Sequence, residues 1–137
     1  MDIIIINQQV PNSITNLDFI TGLNRIIGDH PEKTFIVDSR HFADKFEGVS
    51  YKVNNYEAAR LIDNSRAESD DIKDEELKEI AVGIFNNHKR PIFITRGENG
   101  ILAFDGSNLF ETPGIKLKGE LDIVGAGDTA LSAITCA

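Results

Sequence analysis

The chain begins with two strand-like segments that flank a helix, and this pattern restricts the fold more than any other feature. Four isoleucines fill positions 3–6, and a second apolar run fills positions 34–37. Continuous β-branched runs are typical of strands that are buried on both faces of a parallel sheet. Between them, Thr15 or Asn16 can cap an amphipathic helix that ends before Pro31. The order strand, helix, strand predicts a βαβ unit and therefore an α/β fold.

The remaining segments first continue this alternation and then depart from it. The predicted strands lie at 51–53, 92–95, 101–104 and 108–111, and the predicted helices lie at 55–62, across 77–85 and in a tail at 130–137. Turn residues at 97–100 make the strand at 101–104 a hairpin partner of the strand before it. We therefore expect a mostly parallel sheet that acquires antiparallel strands late in the chain.

Composition excludes several classes of function. The chain has 137 residues, enough for one domain with its own core, and a net charge of −8. Non-specific nucleic-acid binding and electrostatic membrane anchoring both need clustered Lys and Arg, so neither a nucleic acid nor a membrane is an expected partner. No apolar run approaches the roughly 20 residues of a transmembrane helix. Cys136 is the single cysteine, which excludes an internal disulfide and makes a reducing, cytoplasmic location the expectation.

Both ends of the chain look cut. A buried strand that begins this close to the first residue would ordinarily have earlier neighbours. The last helix reaches Ala137 with apolar residues still in pattern and with no Gly, Asn or basic residue to cap it. We expect the sequence to be a piece of a longer chain.

Residues 125–128, with the sequence Gly-Ala-Gly-Asp, form the most informative motif. The glycines let backbone N–H groups approach an anion closely, and the following residues can begin a helix, whose N-terminus attracts negative charge. Asp128 would then lie beside this anion hole, where its carboxylate can accept a proton from a hydroxyl group. The alternative is a tight turn that only lets a helix pack closely on a sheet. The sequence contains neither a P-loop nor a dinucleotide-binding glycine pattern.

Two further motifs follow predicted strands. Asn54 and Glu57 have the spacing of a capping box for the next helix; the functional alternative is that Glu57 orders a water on Mg²⁺. Thr95 and Gly97 lie at a strand end, where nucleotide phosphates can approach the backbone, although a hairpin turn alone also explains them.

Other polar residues are less informative. Arg40 ends the second strand and can meet a phosphate or a sugar acid, but a solvated arginine is the simpler interpretation. The three histidines show no metal-ligand spacing. Cys136 lies on a helix pattern and is interpreted as a small core residue rather than a nucleophile.

Together these motifs resemble the ribokinase-like (PfkB) family of carbohydrate kinases. The family signature D-T-x-G-A-G-D matches residues 122–128, its K-P-N-x-x-E motif matches residues 52–57, and its T-x-G turn matches residues 95–97. The stretch at 37–48, followed by the Asn-x-x-Glu helix, looks most like the heptose-kinase-like branch. The resemblance runs from about Thr34 to the end of the chain. It implies part of a three-layer α/β/α sandwich.

The resemblance also implies a role for each matched residue. A kinase of this family transfers a phosphoryl group from ATP to a sugar hydroxyl. Asp128 would be the catalytic base, and the backbone of Gly125, Ala126 and Gly127 would form the anion hole. The residues implied for ATP and Mg²⁺ are Asn54, Glu57, Thr95 and Gly97, and Asp122 is implied for a monovalent cation such as K⁺.

The sequence also departs from the family pattern. Val53 replaces a Pro, and Ile123 replaces a Thr whose hydroxyl lies near the cation site, so potassium dependence does not follow. The sugar-binding N-terminal half with its lid and the adenine loop are absent. We therefore expect residues 1–137 to be the C-terminal-side part of a kinase domain, incomplete at both ends. Because positioning supplies most of the catalysis in phosphoryl transfer, we expect this part to have little or no activity alone.

The expected partners are a small-molecule sugar and, in the full-length parent, a second copy that forms a homodimer. Two alternatives stay open. The chain can be a non-catalytic remnant that binds nucleotide or serves as an interaction domain. It can also belong to a kinase of vitamin-type alcohols with the same fold, although the Asn-x-x-Glu motif and the strand end at 38–40 favour a sugar.

Overall fold

The computed structural model describes residues 2–10, 14–114 and 125–136, which form one sheet with helices on both faces. The strands are β1 (Ile3–Gln8), β2 (Thr34–Ser39), β3 (Ser50–Asn54), β4 (Ile92–Thr95), β5 (Ile101–Phe104) and β6 (Leu109–Thr112). The helices are α1 (Leu17–Asp29), α2 (Asn55–Ile62), α3 (Asp74–His88) and α4 (Ala126–Cys136), with short 3₁₀ segments at Ala43–Lys45 and Gly97–Asn99.

The six strands follow one another across the sheet in the order of the sequence. β1 to β4 are parallel, and β5 and β6 are added as antiparallel strands. The predicted sheet, parallel first and antiparallel late, is confirmed. Because β1 to β4 run the same way, their carboxyl ends share one edge of the sheet.

The face of the sheet that α1, α2 and α3 cover carries the hydrophobic core. Alternate residues of each strand point to opposite faces, so every second residue of the central strands reaches these helices. The core includes Phe35, Val37, Tyr51, Val53, Ile92, Ile94 and Leu102 of the sheet and Ile20, Ile27, Ala58, Ala59, Leu77, Ile80, Ala81 and Ile84 of the helices. Burial of each Ile, Leu or Val contributes roughly 1.5–3 kcal/mol, so this face stabilises the fold strongly.

The opposite face of the sheet meets α4. Lys52 lies between the core residues Tyr51 and Val53, so its side chain points away from the core. The N-terminal end of α4 lies against this side chain, since a Cβ placed on Gly127 would stand 3.0 Å from Lys52 Nζ. Leu131 of α4 is buried. Helices therefore lie on both faces, which confirms the three-layer α/β/α arrangement.

Capping chemistry in the sequence fixes where α1 and α2 begin. Asn16 precedes α1, and its Oδ1 accepts a hydrogen bond from Phe19 N at 2.9 Å. Asn54 precedes α2 with Glu57 at the third helical position, and both hydrogen bonds of the capping box are present. The observed α2, β4 and β5 agree with the predicted segments residue for residue.

The prediction that β1 is buried on both faces is wrong. In the described residues β1 pairs with β2 and forms an edge of the sheet. Ile4 and Ile6 pack against the core, but Ile5 points to the other face and is 45% exposed. A run of isoleucines favours extended backbone on any strand; it does not determine how many neighbours the strand has.

The interpretation of Cys136 as a core residue is also wrong. Its thiol is free and exposed at the end of α4. Helical spacing relates residues to one another, but it does not show which side of the helix a sheet will cover. Among the described helices, none has the combined length and apolar character that crossing a bilayer requires.

Stability should fall on acidification because of His88, which packs edge-on against Tyr51 with ring centroids 4.9 Å apart. Its Nδ1 lies 3.3 Å from the Tyr51 hydroxyl. Burial lowers the pKa of His88 below its usual value of 6.5. The unfolded chain therefore takes up this proton first, and stability is lost as pH falls below about 6.5. Urea unfolding at pH 7.5 and 5.5 measures the loss.

The variant His88→Gln isolates this contribution, since Gln still offers a polar partner to Tyr51 but does not titrate. Burial raises the pKa of Glu57, which acts in the opposite direction, but this contribution is common to both proteins. The wild type should lose more stability than His88→Gln between the two pH values. Equal losses would contradict the role given to His88.

Candidate active site

Polar residues gather where the four parallel strands end. β1, β2, β3 and β4 finish at Gln8, Ser39, Asn54 and Thr95, which lie along one edge of the sheet. The carboxyl ends of the strands are where ligands of open α/β sheets bind. The motifs around Asn54 and Thr95, far apart in sequence, are therefore neighbours, and the register pairs these two residues directly.

The Gly-Ala-Gly-Asp motif forms the beginning of α4. Gly125 has φ +82°, a conformation that favours glycine, and the helix starts at Ala126. The first N–H groups of a helix have no partner within the helix and point out of its N-terminus. Asp128 lies in this first turn and is exposed. The motif thus places the first N–H groups of α4 and the Asp128 carboxylate side by side, and their role as an anion hole and a base stays a prediction.

Asp128 also contacts the first strand of the sheet. Asn7, the second-last residue of β1, donates a hydrogen bond from Nδ2 to Asp128 Oδ1 at 3.0 Å. This bond holds one oxygen of the carboxylate at the end of β1. Asn7 is not predictable as a site residue from the sequence, because nothing local marks a contact across 121 residues.

A buried ion pair lies beneath the start of α4. Lys52 Nζ donates to Asp38 Oδ2 at 2.6 Å, and the two side chains are only 7% and 5% exposed. Gly127 lies directly above this pair, because a Cβ there would stand 3.0 Å from Nζ. Lys52 belongs to the matched K-P-N-x-x-E motif, but the sequence alone did not predict its ion pair. A charged residue between Tyr51 and Val53 of a buried strand is the signal that could have indicated a buried partner.

Asn54 and Glu57 form the capping box and also face the site. Asn54 N donates to Glu57 Oε2 and Glu57 N donates to Asn54 Oδ1, both at 2.8 Å. Burial raises the pKa of Glu57, and the Asp38 charge raises it further, while Lys52 and Arg40 oppose the shift. The charges of Asp38 and Lys52 therefore affect the pKa of Glu57. The capping box leaves room for a second role of this motif, because a helix cap and a ligand-binding site can use the same residues.

The donor set near Glu57 fits magnesium held mainly by phosphates. In the described part of the chain, no three His, Cys, Asp or Glu side chains group as a metal site. Mg²⁺ usually keeps several waters and uses one or two protein carboxylates plus substrate phosphates. The cap uses Glu57 Oε2, so the second oxygen of this carboxylate can receive a hydrogen bond from such a water.

Thr95 and Gly97 lie on the turn that follows β4. Thr95 Oγ1 donates to Val53 O at 3.3 Å, and Gly97 has φ +54° with open space around it. The turn is a 3₁₀ segment, Gly97–Asn99, closed by Gly100. Arg96 holds it from beneath, since its side chain is buried and donates to Asn99 O and to Glu111 Oε2. This support was not predicted from the sequence.

A cleft of about 530 Å³ opens beside Asn54 and Glu57. Arg40 lines this cleft and is exposed, in agreement with its interpretation as a solvated arginine. Arg60 also lines the cleft, and its guanidinium carbon lies 5.6 Å from the centroid of the Tyr56 ring. The cleft leaves room for a polar ligand next to Glu57. Asp122, expected at a monovalent-cation site, lies outside the described residues.

Solved structures share the fold of this chain. No protein-family model and no curated protein matches the sequence. Among solved structures, phosphofructokinase-2 from Escherichia coli in complex with potassium matches with a TM-score of 0.74 and 24% identity over 98% of this chain and 43% of that chain. Ribokinase from Thermotoga maritima matches with a TM-score of 0.64 and 15% identity over 93% and 39%.

A nucleoside kinase from Burkholderia thailandensis in complex with inosine matches more distantly. The TM-score is 0.56 and the identity 20%, over 93% of this chain and 40% of that chain. The chain thus spans less than half the length of each of these solved structures. The protein has the α/β fold of the ribokinase-like sugar and nucleoside kinases. It contains only the part of that fold that the matches cover.

Proposed function

We propose that the chain is the C-terminal-side part of an ATP-dependent kinase that phosphorylates a hydroxyl group of a sugar. The observation that carries this proposal is the position of Asp128. Its carboxylate lies in the first turn of α4, and Asn7 holds it at the sheet edge where β1 ends. A carboxylate beside free helix N–H groups suits the transfer of a phosphoryl group to a hydroxyl group.

The residues of the site divide the chemistry between them. Asp128 accepts the proton of the attacking hydroxyl through the oxygen that Asn7 does not hold. The N–H groups at the start of α4 stabilise the negative charge that develops on the phosphoryl oxygens. Fixed donors of this kind act without reorganisation, which is why their position matters more than their number.

The nucleotide side of the site would be formed by the second and third motifs. Glu57 would hold a water of Mg²⁺, and Asn54 would bind phosphates; the metal would neutralise charge on the phosphates. The turn at Thr95 and Gly97 would pass along the nucleotide, where the open space above Gly97 admits a ligand. A monovalent cation near Asp122 remains part of the proposal for the whole protein, as does a homodimer.

We expect the chain alone to bind Mg·ATP weakly and the variant Glu57→Gln to bind it about tenfold more weakly. Gln can still accept the bond from Asn54 N, so the capping box survives while the negative charge is lost. Loss of an outer-shell partner typically lowers metal affinity 10- to 100-fold. Isothermal titration calorimetry with Mg·ATP measures both proteins.

The matched control is Glu32→Gln. It removes an exposed carboxylate from the loop before β2, at the amino ends of the parallel strands and opposite to the site. Its affinity should equal that of the wild type. Because the pKa of Glu57 is raised, wild-type affinity should also begin to fall at a higher pH than an ordinary glutamate would give. Equal binding by Glu57→Gln and the wild type would exclude Glu57 from the site.

A second candidate function is nucleotide binding without turnover. The chain spans 43% of the phosphofructokinase-2 structure that it matches, and Asp128 is exposed. This candidate would be supported if the chain bound Mg·ATP while the protein encoded by the full reading frame phosphorylated neither a sugar nor a vitamin-type alcohol.

A further inference from the structure

The β1 edge, which is the side of β1 that faces away from β2, has backbone groups with no strand to pair with among the described residues. The carbonyl oxygens of Asp2 and Gln8 accept hydrogen bonds from N–H groups in and just after β2, each at 3.2 Å. Backbone groups of successive strand residues point to opposite sides, so the even-numbered residues of β1 face β2. The residues whose N–H and C=O groups face outward are therefore Ile3, Ile5 and Asn7.

The β1 edge also lacks the features that ordinarily protect an exposed strand. Such strands are usually short, charged or interrupted by Pro, because an unpaired edge is a template for another strand. Residues 3–6 are four isoleucines. At the other edge of the described sheet, β6 has only four residues, its Glu111 is bound to Lys78 and Arg96, and Pro113 follows it. Of these two edges, the β1 edge is the one open to a partner.

An apolar flank of α1 lies on the same side of the molecule. Ile20 and Ile27 are the buried residues of α1, and Asn24 Nδ2 donates a hydrogen bond of 2.8 Å to the backbone of the 3₁₀ segment that precedes β3. At about 100° per residue, Phe19 and Ile26 lie on the flank opposite to Asn24, which is the flank towards the β1 edge. These two side chains are 41% and 50% exposed.

A second copy of the chain fits the β1 edge because this edge is self-complementary. In an antiparallel pair centred on Ile5, this residue lies opposite its own copy, and residue 3 lies opposite residue 7. These are the residues with outward backbone groups, so each opposed pair exchanges two hydrogen bonds. The same register places Asp2, whose charge is already paired, opposite the neutral Gln8. No like charges therefore meet along the pair.

We propose that the chain forms a two-fold symmetric dimer in which two β1 edges pair in antiparallel register about Ile5. Both copies keep the same faces, so the exposed flanks of the two α1 helices, with Phe19 and Ile26, are directed towards each other. On the opposite face the two Ile5 side chains form a cross-strand pair, which covers a side chain that is 45% exposed in one copy. A two-fold contact of this kind closes on itself and does not extend into a fibre.

Disulfide trapping tests the register. All variants carry Cys136→Ser, because the native thiol is free and exposed. In Ile5→Cys the two Cα atoms should lie about 5.5 Å apart, within the range of a disulfide, so copper-catalysed air oxidation should give a covalent dimer. Ile3→Cys is the matched control on the same strand. Its two thiols would be about 13 Å apart along the paired strands and should stay unlinked.

Sedimentation equilibrium of the 137-residue chain measures the dimer without a cross-link. Its mass should rise from monomer towards dimer with concentration. Ile5→Lys should raise the dissociation constant at least about tenfold, because two lysines would lie directly opposite each other. Leu109→Lys changes a residue of similar exposure, 42%, on the strand at the other edge and should leave the constant unchanged. Circular dichroism verifies that each variant folds, as expected for changes at exposed side chains.

Three results would contradict the dimer or its geometry. A monomeric mass at every concentration, with Ile5→Cys unlinked, would overturn the dimer. Dissociation by Leu109→Lys but not by Ile5→Lys would move the interface to β6. Equal cross-linking of Ile3→Cys and Ile5→Cys would overturn the register. None of these results affects the proposed kinase activity, which depends on the residues that bind Mg·ATP and on Asp128.

Discussion

If Asp128 is the base of the proposed full-length kinase, replacing it by Asn should lower kcat by about 10²–10⁴-fold, the usual contribution of a general base. Asn has nearly the same shape, and its Oδ1 can still accept the hydrogen bond from Asn7. The helix start and its N–H groups should therefore be unchanged. What is lost is the ability to take a proton from the hydroxyl of the sugar.

The kinetic pattern should separate catalysis from binding. Asp128 lies on the side of the site formed by β1 and α4, whereas the proposed nucleotide side is formed by Asn54 and Thr95. The KM for ATP should therefore stay near its wild-type value while kcat falls. ADP release, followed with a panel of sugars, measures both constants.

Asp18→Asn is the matched control. Asp18 is also an exposed aspartate in the first turn of a helix, α1, but it belongs to no part of the site. Its turnover should equal that of the wild type. If Asp128→Asn also turned over at the wild-type rate, Asp128 would not be the base, and the proposed mechanism would fail.

Replacing Gly100 by Ala should destabilise the chain by more than about 3 kcal/mol. Gly100 has φ +82°, where a side chain is strained. A Cβ at this position would also overlap the carbonyl oxygen of Thr112 and press on the backbone of Gly114. Backbone cannot move aside as a side chain can, so the turn and the end of β6 would have to separate.

Gly97→Ala provides the comparison within the same turn. Gly97 also has a positive φ, +54°, but a Cβ there would meet no atom within 4 Å. Its cost should be limited to the backbone conformation, about 1–2 kcal/mol. Urea unfolding followed by circular dichroism should give a much lower midpoint for Gly100→Ala than for Gly97→Ala. Similar midpoints would show that the close approach to Thr112 is unimportant.

The secondary structure was largely predictable because its signals are local. The capping residues Asn54 and Glu57 are close in sequence to the helix that they start, and Pro91 separates α3 from β4. The proximity of Asn54 and Thr95 was also predictable, because parallel strands bring their carboxyl ends to the same side of the sheet.

The contacts between distant elements were not predictable from the sequence, because they depend on packing. The contact of Asn7 with Asp128 and the pair of Lys52 with Asp38 depend on how α4 lies on the sheet. The exposure of Ile5 and Cys136 depends on which surfaces find a neighbour. Hydrophobic periodicity defines a face, but the partner of that face is decided by the whole chain.

The order of the strands has a consequence for how the chain folds. Every strand pairs with its predecessor in sequence, so each pairing closes only the segment between two consecutive strands, at a smaller entropic cost than a closure across most of the chain. The bond from Asn7 to Asp128 instead closes a loop of 121 residues. We therefore expect the sheet to assemble first and α4 to dock last, so that the position of Asp128 is acquired in the final and slowest step of folding.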